Sequence, residues 1–207
     1  MQQTTTIAMI AGLGLATVAC GQVIGFSGDP TASAEQTGAM FSGNLEYTYL
    51  GGNDGQLSID LTNDSPLAVG GFLTGLIFRA AAGDDPLIAT LGSSNPATFL
   101  DTGPALGGGF GSFDGGAALG GNFLGGGTPS DGLGLGDMGM FTFDISSADA
   151  STLTSSSFLG TADQPGLLVR FRGLNGGLSD MVPVVIPAPS ALALLGLGGL
   201  AATRRRR

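Results

Sequence analysis

Gln56-Leu57-Ser58-Ile59-Asp60-Leu61-Thr62 alternates apolar and polar side chains at every step. Successive side chains of an extended chain point to opposite faces, so Leu57, Ile59 and Leu61 share one face and Ser58, Asp60 and Thr62 the other. A second stretch repeats the pattern, with Phe141, Phe143 and Ile145 opposing Thr142, Asp144 and Ser146. Period two with one apolar face indicates antiparallel sheet, buried on one side and wet on the other. Strands are expected at 45–50, 56–62, 67–80, 86–91, 138–145 and 166–173. Turn chemistry falls between them, in Gly51-Gly52-Asn53-Asp54-Gly55 and Asn63-Asp64-Ser65-Pro66. Within 67–80, Gly70, Gly71 and Gly75 argue against a helix, and the run reads as one bulged central strand or two shorter ones. With Val169 and Phe171 inward, Arg170 and Arg172 fall on the solvent face. The fold class predicted is all-β, a two-sheet antiparallel β-sandwich.

Residues 103–136 are a different material, with 15 glycines together with Pro104 and Pro129. Phe110, Phe113, Leu119, Phe123, Leu124, Leu133 and Leu135 recur among them. Flexible linkers are Ser-rich and lack such side chains, so the segment reads as a long glycine-rich insertion partly packed through them. No fixed period supports a solenoid. Residues 146–161 are rich in Ser and Thr and read as a solvated loop, with a short helical turn at 147–150.

Length gives one central domain, residues 22–182, between two segments of another kind, 1–21 and 183–207. All seven basic residues are arginine, and four are at the C-terminus. Arg79, Arg170 and Arg172 therefore face all 16 acidic residues in the body, a net charge of −13. Such a surface repels nucleic acid and anionic lipid. With no histidine, a Ser-His-Asp triad and histidine-bound zinc or haem are excluded, and with no lysine so are Schiff bases and P-loop chemistry. Paired carboxylates such as Asp84 with Asp85 are available for glycoside hydrolysis, but tryptophan is absent and Tyr47 and Tyr49 are the only tyrosines. The expectation is a protein that is not an enzyme.

Residues 7–19 form an apolar run of signal-peptide length, and Ala19-Cys20-Gly21 fits cleavage before Gln22. Cys20 is the only cysteine, so cleavage there leaves no disulfide and no thiol. Thr17-Val18-Ala19-Cys20 faintly resembles a lipoprotein box, with Thr17 where an aliphatic residue is expected. At the other end, Pro187 and Pro189 disfavour helix before Ser190, a good N-cap, and an uncharged Ala/Leu/Gly run leads to Arg204, Arg205, Arg206 and Arg207. The apolar helix is short for a bilayer, which suits a transient membrane stop, and the arginines favour the cytoplasmic side. A permanent single-pass anchor is the alternative.

Ile186-Pro187-Ala188-Pro189-Ser190, the apolar run and the arginine cluster together resemble the PEP-CTERM sorting signal of bacterial exosortase substrates. Ala188 stands where that family usually has Glu. The resemblance implies a sorting substrate: a membrane-embedded exosortase-type protease cuts near the Pro motif and removes the helix and arginines. It also implies an exported protein of the cell envelope or of an extracellular polysaccharide matrix. The strand pattern and the 169–180 segment loosely resemble the sandwich-like bodies common in that family.

The leading expectation is thus a non-catalytic structural protein outside the cell, with no cofactor required. A carbohydrate- or calcium-dependent adhesion module on the same fold is the alternative. Calcium takes six to eight oxygen ligands, and Asp54, Asp64, Asp84 and Asp85 are the weak candidates, each in a turn where acidic residues are ordinary turn formers. A small outer-membrane barrel conflicts with the irregular strands and the expected C-terminal helix.

Overall fold

A computed structural model describes residues 21–80, 87–161 and 163–185. The strands are β1 (Ile24–Gly28), β2 (Phe41–Gly51), β3 (Asp54–Asn63), β4 (Gly70–Phe78), β5 (Ile88–Asn95), β6 (Phe99–Asp101), β7 (Ala105–Leu106), β8 (Ser112–Phe113), β9 (Gly115–Leu119), β10 (Met138–Ser146), β11 (Leu167–Leu174) and β12 (Leu178–Val185). Ten of them form one antiparallel sheet in the order β5-β10-β3-β2-β1-β12-β11-β4-β9-β6, and β7 with β8 makes a separate small ribbon. The all-β, antiparallel character expected from the alternation is therefore present.

The apolar faces read from the sequence point inward. Leu57, Ile59 and Leu61 of β3 are buried, as are Phe141, Phe143 and Ile145 of β10. They pack across the interior on the other half of the sheet: Phe78 of β4 meets Phe143 edge-on at 4.8 Å, and Phe99 of β6 meets Phe141 at 5.1 Å. Phe41 of β2 lies 6.4 Å from Phe171 of β11. The first two, edge-to-face, add to the burial of each ring.

The two halves pack face to face as in a sandwich, but they are not two sheets. β1 joins them, pairing with β2 over Ile24–Ser27 and with β12 through Ser27 opposite Val185 and Gly28 opposite Val184. The sheet thereby curls into a flattened, nearly closed barrel. The unpaired edges, β5 and β6, lie side by side, and side chains bridge them: Ser94 Oγ donates to Phe99 O at 3.1 Å. β1 and β12 escaped the sequence reading because one is only five residues long and the other contains Pro183, a residue unfavourable inside a sheet. β12 runs to Val185.

The 67–80 run resolves to one strand with a bulge. Arg170 of β11 opposes Gly75 and Phe171 opposes Leu73, so Thr74 is the extra residue. The 147–150 stretch is a turn, and the helical element nearby is a 3-10 turn at Ser155–Phe158, closed by a capping box between Thr154 and Ser157.

Candidate functional site

The outer faces of the two halves differ. On β4 and β11, Ile77 and Leu168 point outward and oppose each other in register, yet both are fully buried. The glycine-rich insertion covers them. Its Phe113 and Phe123 form a second small core with Ile77 and Leu168, against which Ala105, Phe110 and Met181 pack. Gly75 leaves the space over β4 in which Phe123 sits, since a Cβ there would come within 3.2 Å of the Phe123 ring. The insertion therefore contributes β9 to the sheet and lays flanking residues over its outer face as a strap.

The body's three arginines hold this strap. Arg79 donates to Phe110 O and Ser112 O, each at 3.2 Å, and to Pro165 O at 3.0 Å, and its guanidinium lies 4.6 Å over the Phe113 ring. Arg170 donates to Phe123 O at 2.9 Å, and Arg172 to Gly126 O and Gly127 O. Strap glycines leave the main-chain carbonyls accessible to these donors. Arg170 and Arg172 are on the outer face as the alternation predicted, but the strap leaves them only partly exposed. Burial, and then the neighbouring Arg172 charge, lower the Arg170 pKa from its ordinary value. Its Nε is buried without an acceptor.

Beside Arg170 is a cavity of about 160 Å³, lined by Ala34, Glu35, Leu124, Arg170, Ser179, Asp180 and Met181. Asp180 is almost wholly buried, with 2% of its surface exposed. Its carboxylate accepts from Ser33 Oγ at 2.9 Å, Thr37 Oγ1 at 2.7 Å, and the amides of Glu35, Thr37 and Met181 at 2.9, 3.1 and 2.8 Å. Burial alone pushes its pKa up; the bonds from Thr37, Glu35 and Ser33 outweigh it and hold the group below the ordinary carboxylate value. This knot fastens the loop between β1 and β2 to β12. At the far end of the strap, burial raises the Asp114 pKa despite the Ala80 amide and the Arg79 charge beside it.

Among the described residues, none straps the opposite outer face, on β2, β3, β10 and β5. Cross-strand register places Thr48, Gln56, Asp144 and Thr90 in one row, and Glu46, Ser58, Thr142 and Ser93 in the next.

Of the weak calcium candidates, Asp54 opens β3 and Asp64 follows its end, both exposed. About 30 Å of strand separates them, so they do not share an ion. Among the described residues no group of three or more candidate metal ligands is found. Asn63 is spent on the fold: its Nδ2 donates to Leu133 O and its Oδ1 accepts from Ser65 N. Asp84, Asp85, Cys20, the Ile186–Ser190 motif and the four terminal arginines lie outside the described residues, as do the expected signal peptide and membrane helix. No helix among the described residues is long and apolar enough to cross a membrane. Comparison with protein-family models, curated proteins and solved structures found no match to this chain.

Sequence reading missed the Asp180 knot and the role of the strap. A signal existed for the first: period two from Val182 and Val184 puts Asp180 on the inward face of β12.

Proposed function

We propose that this chain is an exported bacterial envelope or extracellular-matrix structural protein, not itself catalytic, and a substrate of an exosortase-type sorting protease. The observation that carries this reading is the order at the C-terminus: Ile186-Pro187-Ala188-Pro189-Ser190, then an uncharged apolar run, then Arg204, Arg205, Arg206 and Arg207. The fold is compatible with it. β12 runs to Val185, and in sequence the motif begins at the next residue. The protease would then meet its motif at the margin of a folded domain and release that domain to the exterior. Export of the N-terminus by a signal peptide ending at Gly21 belongs to the same reading, since β1 begins three residues later.

The test is an intact mass of the native protein from its host, with membrane and medium fractions separated. Loss of residues 1–21 and of everything beyond the Pro motif is the expected result. A membrane-bound form retaining Arg204, Arg205, Arg206 and Arg207 would sink the sorting assignment and leave a permanent single-pass anchor.

A second reading, a carbohydrate- or calcium-dependent adhesion module, is favoured by the outer face that none of the described residues straps. Its rows of hydroxyl, carboxamide and carboxylate groups make a polar plane of the kind that hydrogen-bonds sugar hydroxyls. A rise in the unfolding midpoint with calcium, or retention on a glycan array, would support it over a purely structural role.

A further inference from the structure

We propose that Asn175 is a site of spontaneous covalent modification: its side chain closes onto the Gly176 nitrogen and then hydrolyses to aspartate or isoaspartate, releasing the β11–β12 hairpin from the loop between β3 and β4. The proposal does not rest on how the tail is processed.

Ring closure from an asparagine needs the main-chain nitrogen of the next residue as its nucleophile, unobstructed and able to lose its proton to water. The chain has six asparagines, and Asn175 is the one followed by glycine. With no Cβ on Gly176, nothing crowds its nitrogen as it nears the Asn175 Cγ, and its backbone turns freely. Both residues lie exposed in the turn between β11 and β12. The neighbouring amides are engaged, that of Asn175 with Val69 O and that of Gly177 with Leu174 O, each at 2.9 Å. Among the described residues, the Gly176 N–H makes no hydrogen bond. Asn63 is the contrasting case, fully buried and followed by Asp64.

The step balances with water as its only co-reactant. Hydroxide removes the Gly176 amide proton, the nitrogen attacks the Asn175 Cγ, and the Cγ–Nδ2 bond breaks, Nδ2 leaving as ammonia once protonated. Water then opens the five-membered imide. Breaking the new Cγ–N bond gives aspartate, and breaking the former peptide bond gives isoaspartate, with the main chain rerouted through Cγ. In sum, one water enters and one ammonia leaves.

The group that is lost is the one that ties two elements together. Asn175 Nδ2 donates to Ala68 O at 2.9 Å and to Leu67 O at 3.4 Å. A carboxylate has no proton to give there and sets its charge against both carbonyl oxygens. It also adds one negative charge to a body that already carries a large excess of acids. In isoaspartate the extra main-chain atom further displaces Leu174 from Leu178, the pair that closes the hairpin. The same tie sets the pace, because the side chain must leave Ala68 before its Cγ can reach Gly176.

The experiment is incubation of the full chain in mild detergent at neutral and at raised pH, followed by trypsin digestion and mass spectrometry. Cleavage after Arg172 and Arg204 yields a peptide whose only side-chain amide is that of Asn175. Exchange of NH2 for OH should raise its mass by about 1 Da. The gain should be faster at the higher pH and several-fold slower than in the same peptide held free in solution, and should appear as two separable products. Asn175→Gln, whose longer side chain would have to close a six-membered ring, should lose most of it. The aged protein and Asn175→Asp should both unfold about 2 °C below the parent. A native chain that stays unchanged while the free peptide reacts to completion overturns the proposal. So does aspartate as the sole product, a gain undiminished in Asn175→Gln, or an aged protein that unfolds with the parent.

Discussion

At the scale of single residues, Asp180 concentrates more hydrogen bonding than any other side chain described. Its carboxylate receives five donors in a nearly water-free position. An amide in its place keeps the shape, loses the charge and turns an NH2 toward donors. Asp180→Asn should therefore destabilise the fold by about 3 kcal/mol, a fall of roughly 6–10 °C in the unfolding midpoint by calorimetry. The pH dependence has a definite sign. The folded pKa is depressed, so this stabilisation is complete above the unfolded carboxylate pKa near 3.8 and is lost as pH falls through the lower folded value. Asp114 runs the other way. Its pKa is raised by burial, so the folded state takes up the proton more readily and stability falls as pH rises through the carboxylate range. Asp114→Asn should remove that component of a pH–stability profile while changing stability at neutral pH by no more than about 0.5 kcal/mol. Gly55 illustrates a third kind of constraint. It lies under the Tyr47 ring, whose hydroxyl donates to Ala150 O at 2.8 Å, and a Cβ there would strike the ring. Gly55→Ala should cost about 2 kcal/mol in urea unfolding through displacement of Tyr47.

Among the elements, the strap is separable from the barrel beneath it. It is held by four buried side chains and by guanidinium bonds to its carbonyls, whereas the barrel is held by ladders and a continuous aromatic interior. Elements with few buried contacts open locally at lower free energy than the core. Arg79→Ala removes two strap bonds and the contact with Phe113, so amides of residues 105–113 should exchange roughly tenfold or more faster in native-state hydrogen exchange, with those of β3, β9 and β10 unchanged. How much of this was legible is clear from the elements themselves. β3 and β10 were readable because each has one buried and one wet face, whereas β4 is buried along nearly its whole length and stood out as a long apolar run. Recurrent phenylalanines among the glycines announced that the insertion packs, but not on what: the outer face of β4 and β11 carries Ile77 and Leu168 beside Arg170 and Arg172, a mixture that alternation alone assigns to solvent. β6, β7 and β8 are two or three residues long and β9 is five residues built largely from Gly and Ala, so none of them carries a readable period.

For the whole molecule, the decisive fact is that charge and closure oppose each other. A compact body with a net charge of −13 repels itself, and its three arginines donate to main-chain carbonyls, with only Arg79 also beside a carboxylate, that of Asp114. Against that repulsion the sheet closes at two seams with few ladder pairs, the first reinforced by the Asp180 knot. Two residue pairs link β1 to β12, and at the other margin β5 and β6 are bridged by side chains, Ser94 to Phe99 and the Asp101 carboxylate to the Leu91 amide. Exposed carboxylates are screened by salt, and the interior is not. Raising sodium chloride from about 20 to about 200 mM shortens the screening length from roughly 20 to 7 Å, less than the width of the barrel, and should stabilise the fold by roughly 1 kcal/mol. The midpoint of thermal unfolding should rise by about 2–4 °C over that range at pH 7. A stability that stays flat or falls with salt would mean that the acidic surface is compensated locally, and that self-repulsion does not limit the closure of this sheet.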